Sequence, residues 1–243
     1  MTAGYSSVVH INSLNINGLE GKLNKLTDFI LQNNTDILLL QETHKIHNGL
    51  IQKHLGNHGL RTFLNKVVNE HNNYDGTAFV FNSKISDAFE IQHNVLQSNR
   101  LQKLTLVNDE KEVIVLYNLY LRSGSGSYVT KQRYNTLKIL QNDLNSIESA
   151  DIYVGGDFNF VTNKLDTSNP ASLLSKKLPK DIELWEVIKD IFRLKDLFRK
   201  QFKTEKVFTK FTTVRRKRVA RRIDQFYGSQ RVIDYRHIPF KFL

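Results

Sequence analysis

The 243-residue chain contains no cysteine. That excludes a disulfide framework and a thiolate zinc site and removes thiol nucleophiles, so any catalysis must run on oxygen and imidazole groups. No window approaches 18 uninterrupted apolar residues, and the start, MTAGYSSVVHINSLN, has neither a basic region nor a small-residue cleavage site after an apolar stretch. A membrane span, a membrane partner and secretion are therefore not expected, and the protein is expected inside the cell. Internal repeats and a break in composition are missing too, so one compact domain is favoured over two small ones. What is present suffices for a core: 40% hydrophobic residues, 15 Phe and 9 Tyr, with 24% charged. That balance disfavours disorder.

Charge narrows the partner more than the fold. The formal net charge is +11, from 35 Lys and Arg against 24 Asp and Glu. Arg193 to Arg222 alone holds 13 basic residues against Asp196 and Glu205, so the rest of the chain is neutral. A local polycation of this kind predicts an acidic partner.

Residues 8–16 read as a strand by their β-branched content, followed by a turn at Asn17-Gly18. Leu23, Leu26 and Ile30 form a helical stripe that ends near Asn33-Asn34, and residues 36–40, DILLL, read as a strand buried on both faces. Further strands are predicted at 77–82, 100–107 and 112–120, the middle section being antiparallel. Ser123–Ser127 is a loop over a strand end, and Tyr134, Leu137, Leu140 and Leu144 mark a helix. A strand at 151–156 runs into a glycine turn, 160–182 is loop-like, and Glu183–Phe198 is helical. Strands at 206–213 and 222–227 bracket the arginine cluster, and a last one covers 231–238. The whole reads as a single α+β or α/β sandwich.

Polar residues follow directly on three apolar strands: Asn15, Glu42, and Asp157 with Asn159. Side chains at the carboxyl ends of buried strands converge on a shared crevice, where α/β sheets place their ligands. Each alone has a structural reading: Asn15 as a turn former, Glu42 as a helix-start residue, Asp157 as an N-cap.

Together they form a pattern. The segment LNINGLEGKLNKLTDFILQNNTDILLLQETH, residues 14–44, resembles the start of the endonuclease/exonuclease/phosphatase superfamily, and more closely the apurinic-type endonuclease domain of non-LTR (LINE-like) retrotransposons. VGGDFNFV at 154–161 is similar to that family's GDFN motif. Asn118-Leu119-Tyr120 is a weaker match, with Leu121-Arg122 in place of the family's Ala-Pro. Phe208-Thr209 and Arg222-Ile223-Asp224-Gln225-Phe226 resemble its threonine-bearing strand and paired Ile-Asp strand. The resemblance covers nearly the whole chain.

It implies a four-layer α/β sandwich, two mostly antiparallel sheets packed face to face with helices outside. It implies a Mg²⁺-dependent DNA endonuclease, with Mn²⁺ as a substitute, that nicks double-stranded target DNA. The resulting 3′ hydroxyl would prime synthesis by a reverse transcriptase domain of the same polyprotein on the element RNA, in the nucleus. Glu42 would ligate the metal, a hard ion that binds through one or two carboxylates and keeps several waters. Asn15 would fix the ligand or a phosphate oxygen, Asp157 would handle a proton, and Asn159, Tyr120 and Thr209 would contact the phosphate. Tyr120 is otherwise a half-buried strand aromatic.

Asp224 would orient a catalytic histidine in a Ser-Asp-His motif that follows the strand matched by 231–242. The sequence stops at Leu243 before it, and Asp234 and His237 lie too early to substitute. The chain thus reads as a single endonuclease domain, 1–243, cut just short of its last motif.

Arg215, Arg216, Lys217, Arg218, Arg221 and Arg222 lie where a hairpin would track phosphates or enter a minor groove. A solvated charge run and a nuclear import signal are the other readings of RRKRVARR. Two alternatives to the retroelement nuclease stay open: an apurinic-site repair endonuclease or other superfamily phosphodiesterase, and a catalytically inactive nucleic-acid-binding module. The missing histidine predicts weak or no nicking by this chain. Full plasmid nicking in Mg²⁺, abolished by Asp157→Ala, would contradict that expectation.

Overall fold

The apolar run of the second strand is buried on both faces, and this fixes the layering. In the computed structural model, which describes residues 8–44, 47–66, 75–170, 178–214 and 216–229, β1 (Ile11–Asn15), α1 (Leu23–Gln32) and β2 (Ile37–Gln41) form a strand-helix-strand start with parallel strands. Side chains alternate along a strand. Ile37 and Leu39 accordingly pack toward Phe79, Leu104, Leu116 and Phe226 between two sheets. Leu38 and Leu40 pack outward on Leu26 and Ile30 of α1 and on Ile51 and Leu55 of α2 (Asn48–Gly56).

The first sheet has the order β1-β2-β4-β3, with β3 at Leu60–Asn65 and β4 at Thr77–Asn82. A one-turn helix, α3 (Ile85–Ala88), leads into the second sheet. That sheet has the order β5-β6-β7-β8-β12-β9. Its strands are β5 (Glu90–Gln97), β6 (Leu101–Val107), β7 (Val113–Tyr120), β8 (Asp151–Asp157), β9 (Lys195–Asp196) and β12 (Asp224–Gly228). The strands β7 and β8 are parallel, joined by α4 (Ser127–Leu144), as a crossover connection requires. The outer face of this sheet buries Tyr117, Val154 and Tyr227 against Leu137 and Leu140 of α4 and Trp185 and Ile188 of α5 (Lys180–Ile191). The result is the expected four layers, helix, sheet, sheet, helix, with both sheets mixed. All pairs but β1–β2 and β7–β8 are antiparallel.

Several boundaries differ from the sequence reading. The helix expected over Glu183–Phe198 is α5, ending at Ile191, then the short β9 and a separate α6 (Leu197–Gln201) capped by the Asp196 side chain. The expected loop 160–182 contains a 3₁₀ turn at Lys164–Asp166. The arginine cluster only partly forms a tip between strands: Arg216 lies in the turn, while Lys217 and Arg218 are already in β11 (Lys217–Arg221), which pairs with β10 (Lys210–Val214) in a separate two-stranded ribbon. Val219 and Ala220 are buried, so this charged run is tied to the body of the protein and not wholly solvated. The strand read at 231–238 lies outside the described residues.

The ribbon is anchored by an ion cluster. Arg222, just after β11, is 2% exposed and pairs with Asp166 (2.8 Å) and Asp196, while Arg199 of α6 also pairs with Asp166. Burial works against the Arg222 charge, but these carboxylates more than compensate and raise its pKa. Removing one partner of a buried pair leaves a buried charge uncompensated. Arg222→Ala is therefore expected to destabilise the fold by about 3–5 kcal/mol in chemical unfolding, a loss far larger than any exposed arginine of β11 would produce.

Candidate active site

Two parallel pairs bring four strand ends to one rim. Asn15 ends β1 beside Gln41, the last residue of β2, so that Glu42 follows at the same level; Tyr120 ends β7 beside Asp157, the last residue of β8. Antiparallel β12 begins there, with Asp224 opposite Asp157. The rim is thus built from both sheets. Beneath it Gln41 Nε2 donates to Asn118 Oδ1 (2.8 Å), and Asn118 Nδ2 donates to the carbonyls of Leu40 and Ala78 (3.0 and 2.8 Å), a buried polar link across the sandwich.

Local backbone aims the side chains. Glu42 (φ 55°) and Asn159 (φ 52°) both occupy the left-handed region, which non-glycine residues adopt at some cost and which concentrates at functional sites. The two glycines before Asp157 permit close approach. A Cβ on Gly155 would stand 2.6 Å from the Phe226 ring, and Gly156 (φ 146°) lies where a Cβ would overlap the Leu119 carbonyl at 1.8 Å.

Asn15 Nδ2 donates to Glu42 Oε1 and to Asp157 Oδ2, both at 2.9 Å, joining carboxylates of different sheets. Tyr120 OH donates to the same Glu42 Oε1 (3.1 Å). The tyrosine ring is buried, as a strand aromatic would be, with its hydroxyl at the site. Asp157 Oδ1 accepts the Asn159 N–H (2.9 Å), and Asn159 Nδ2 donates to the Leu121 carbonyl (2.8 Å), keeping its second N–H. Asp224 Oδ1 is buried and has no hydrogen-bond partner among the described residues. Thr209 Oγ1 accepts from the backbone N–H groups of Ile223 and Asp224 (3.1 and 3.2 Å), so this residue anchors the start of β12.

Burial holds the Asp157 carboxyl well above the ordinary carboxylate range, and the charge of Asp224 adds to this; hydrogen bonds from Asn15 and Asn159 and the charge of Lys210 oppose it. Asp224 is raised in the same way, first by burial, with Thr209 and Lys210 opposing and Glu42 adding. Burial and then Glu42 also push the Tyr120 hydroxyl upward, keeping it a proton donor.

The donor set fits a hard divalent ion. Glu42 Oε1 carries both hydrogen bonds, while among the described residues Oε2 meets His44 Nε2, at 3.6 Å. Among the described residues no group of three or more His, Cys, Asp or Glu forms a closed cage. One carboxylate, with the others near, suits an ion that keeps much of its water.

The basic positions fall into two sets. Arg216, Lys217, Arg218 and Arg221 are exposed on the β10–β11 ribbon, Arg216 in its turn with φ 63°. Arg215 lies outside the described residues. Arg222 does not join them: its guanidinium is spent on Asp166 and Asp196, which corrects its expected place on the DNA-facing surface. Supports that sequence reasoning missed include Arg100, whose guanidinium lies 4.4 Å over the Tyr120 ring and pairs with Asp75 at 2.5 Å. Arg133 also escaped notice; it donates to the Asn159 carbonyl (3.1 Å) and to Asp181 (2.7 Å). Neither sits in a motif, since turn and helix arginines carry no local signal of what they brace.

Fold and rim together define a nuclease-type phosphodiesterase sandwich. Residues 13–238 match the Endonuclease/Exonuclease/phosphatase family, and the chain belongs to it; members are metal-dependent phosphodiesterase hydrolases. No curated protein matches the sequence. Similar solved structures include an AP endonuclease from Archaeoglobus fulgidus (TM-score 0.71, 16% identity, covering 91% of this chain and 87% of that one). Another is the 3′ phosphatase NExo from Neisseria bound to a product DNA hairpin (0.65, 18%, 91% and 87%). A third is the endonuclease domain of TRAS1, a telomere-specific non-LTR retrotransposon (0.63, 14%, 92% and 86%).

The raised acids have a consequence for stability. An acid whose pKa is higher in the fold than unfolded stabilises fully below its unfolded value, about 3.9, and that contribution is lost as pH rises toward the folded value. Asp157→Asn removes the buried charge and keeps an acceptor for Asn15, giving up the one for the Asn159 N–H. In EDTA, its melting temperature should exceed the parent's at pH 7–8, by roughly 2–4 °C per kcal/mol relieved. The gap should close near pH 4. A variant less stable than the parent at neutral pH would contradict the assignment.

Proposed function

We propose that this chain is a DNA endonuclease domain of a non-LTR retrotransposon polyprotein, nicking duplex DNA by metal-dependent phosphodiester hydrolysis. The observation that carries the reading is the Asn15 amide bridging Glu42 and Asp157 at a shared rim, beside a ribbon that exposes Arg216, Lys217, Arg218 and Arg221. Glu42 would hold Mg²⁺, with Mn²⁺ as a substitute, and the bound ion would offset charge developing on the phosphate. Asp157, its pKa raised by burial, is suited to take the proton of the attacking water or to return one to the leaving 3′ oxygen. The remaining Asn159 N–H donates to a phosphate oxygen, and the single Tyr120 O–H, held by Glu42 in the free site, turns to another when substrate binds. The exposed cations of the ribbon track the backbone and set position on the duplex. The 3′ hydroxyl then primes synthesis by the polyprotein's reverse transcriptase on the element RNA, in the nucleus.

The retroelement branch is favoured by Asn15-Ile16-Asn17-Gly18, Gln41-Glu42-Thr43-His44 and the arginine-rich ribbon. The competing reading, an apurinic-site endonuclease, is favoured by fold similarity to the Archaeoglobus enzyme.

Supercoiled plasmid and intact or abasic duplexes separate these readings. Slow Mg²⁺-dependent nicking of intact duplex is expected, falling at least ~10²-fold in Glu42→Gln. Cleavage confined to abasic duplex would support the repair reading, and duplex binding without nicking in Mg²⁺ or Mn²⁺ would support a binding module. Nicking unchanged by Glu42→Gln would contradict the assigned centre.

A further inference from the structure

Lys210 stands between the basic ribbon and the buried acids. It opens β10 and pairs with Arg221 across the ribbon. The residue before it is pinned to the start of β12, since Thr209 Oγ1 accepts from Ile223 and Asp224, and Thr209 N–H donates to the Arg221 carbonyl (2.9 Å). Lys210 therefore lies beside the point where Asp224 opposes Asp157, and its charge acts on both acids. Its neighbours in the basic segment are used differently. Arg216, Lys217, Arg218 and Arg221 face solvent, whereas Arg199 and Arg222 are consumed by Asp166.

Lys210 is half-buried, yet its ammonium has no hydrogen bond and no ion pair within 4 Å among the described residues. A partly desolvated ammonium one residue from the Thr209 that pins Asp224, and in contact with no described carboxylate, is placed for an anion brought to the rim where Asp224 faces Asp157. Such a group must offer anionic oxygen to the ammonium and accept the remaining Asn159 N–H at the same rim. A phosphodiester meets both demands, and lysine suits it as a point charge.

We propose that Lys210 is a substrate-contacting residue of the active centre, its ammonium taking a non-bridging oxygen of the phosphodiester held between the β10–β11 ribbon and Asp157. The inference rests on the phosphodiesterase reading above. It separates Lys210 from the exposed arginines, which meet backbone phosphates away from the reacting one.

Lys210→Met and Lys210→Arg test it, in single-turnover nicking of supercoiled plasmid and in binding of a duplex of about 30 base pairs in EDTA across a salt series. Lys210→Met should slow nicking by about 10²-fold and reduce the salt slope of binding by about 0.9, with melting temperature kept. Lys210→Arg should restore the slope and most of the rate. Unchanged nicking and slope in Lys210→Met, with an active parent, would overturn the Lys210 assignment and leave the proposed function standing. A loss in both variants accompanied by a fall in melting temperature would also overturn it, by showing a role in the fold. A parent that neither binds nor nicks duplex would defeat the proposed function, and this inference with it.

Discussion

One asparagine amide holds the two halves of the chemistry together. Asn15 Nδ2 reaches Glu42 from the first sheet and Asp157 from the second at the same 2.9 Å. Two carboxylates at a rim shared by two sheets repel, and burial makes the repulsion worse. A neutral two-hydrogen donor between them satisfies both without neutralising either. The rest of the architecture serves this meeting. Parallel pairing of β1 with β2 and of β7 with β8 brings the four strand ends to one level. The Gln41–Asn118 link holds the sheets in register beneath, and the glycines before Asp157 let β8 lie close to β7 and to Phe226.

Electrostatics divides the molecule in the same way. Burial holds Asp157 and Asp224 above the ordinary carboxylate range, which leaves the rim short of positive charge. In the proposed function the missing charge would come from a hard cation at Glu42 and from the basic ribbon beside β12. The +11 of the chain is thus not a general property of its surface. Part of it is structural, because Arg199 and Arg222 tie the ribbon to Asp166 and Asp196, and part is directed outward.

Much of this was legible in the residues. DILLL had to be a strand covered on both faces, and strand, helix, strand pointed to a layered α/β start; the two packed sheets with helices outside were implied by the family resemblance. Asn15, Glu42, Asp157 and Asn159 could be placed together because each ends or follows a recognisable apolar strand, whereas Tyr120 joined them only through the family resemblance. Less legible were α2, with only Ile51 and Leu55 buried, and β5, an edge strand whose residues alternate weakly. The ribbon is hard to read because charge hides its strand: in β11 only Val219 and Ala220 break the run of cations. Arg222 was misplaced for the same reason. Its sequence neighbours are exposed, and the carboxylates that claim it lie 26 and 56 residues away.

The central claim is that Asn15 acts by joining Glu42 to Asp157, so that these groups form one unit. Single-turnover nicking by Asn15→Ala, Glu42→Gln and the double variant tests it most directly, since groups acting as a unit lose activity non-additively. The account predicts a double variant about as slow as the slower single one. Losses that multiply in the double variant would show independent contributions and contradict it.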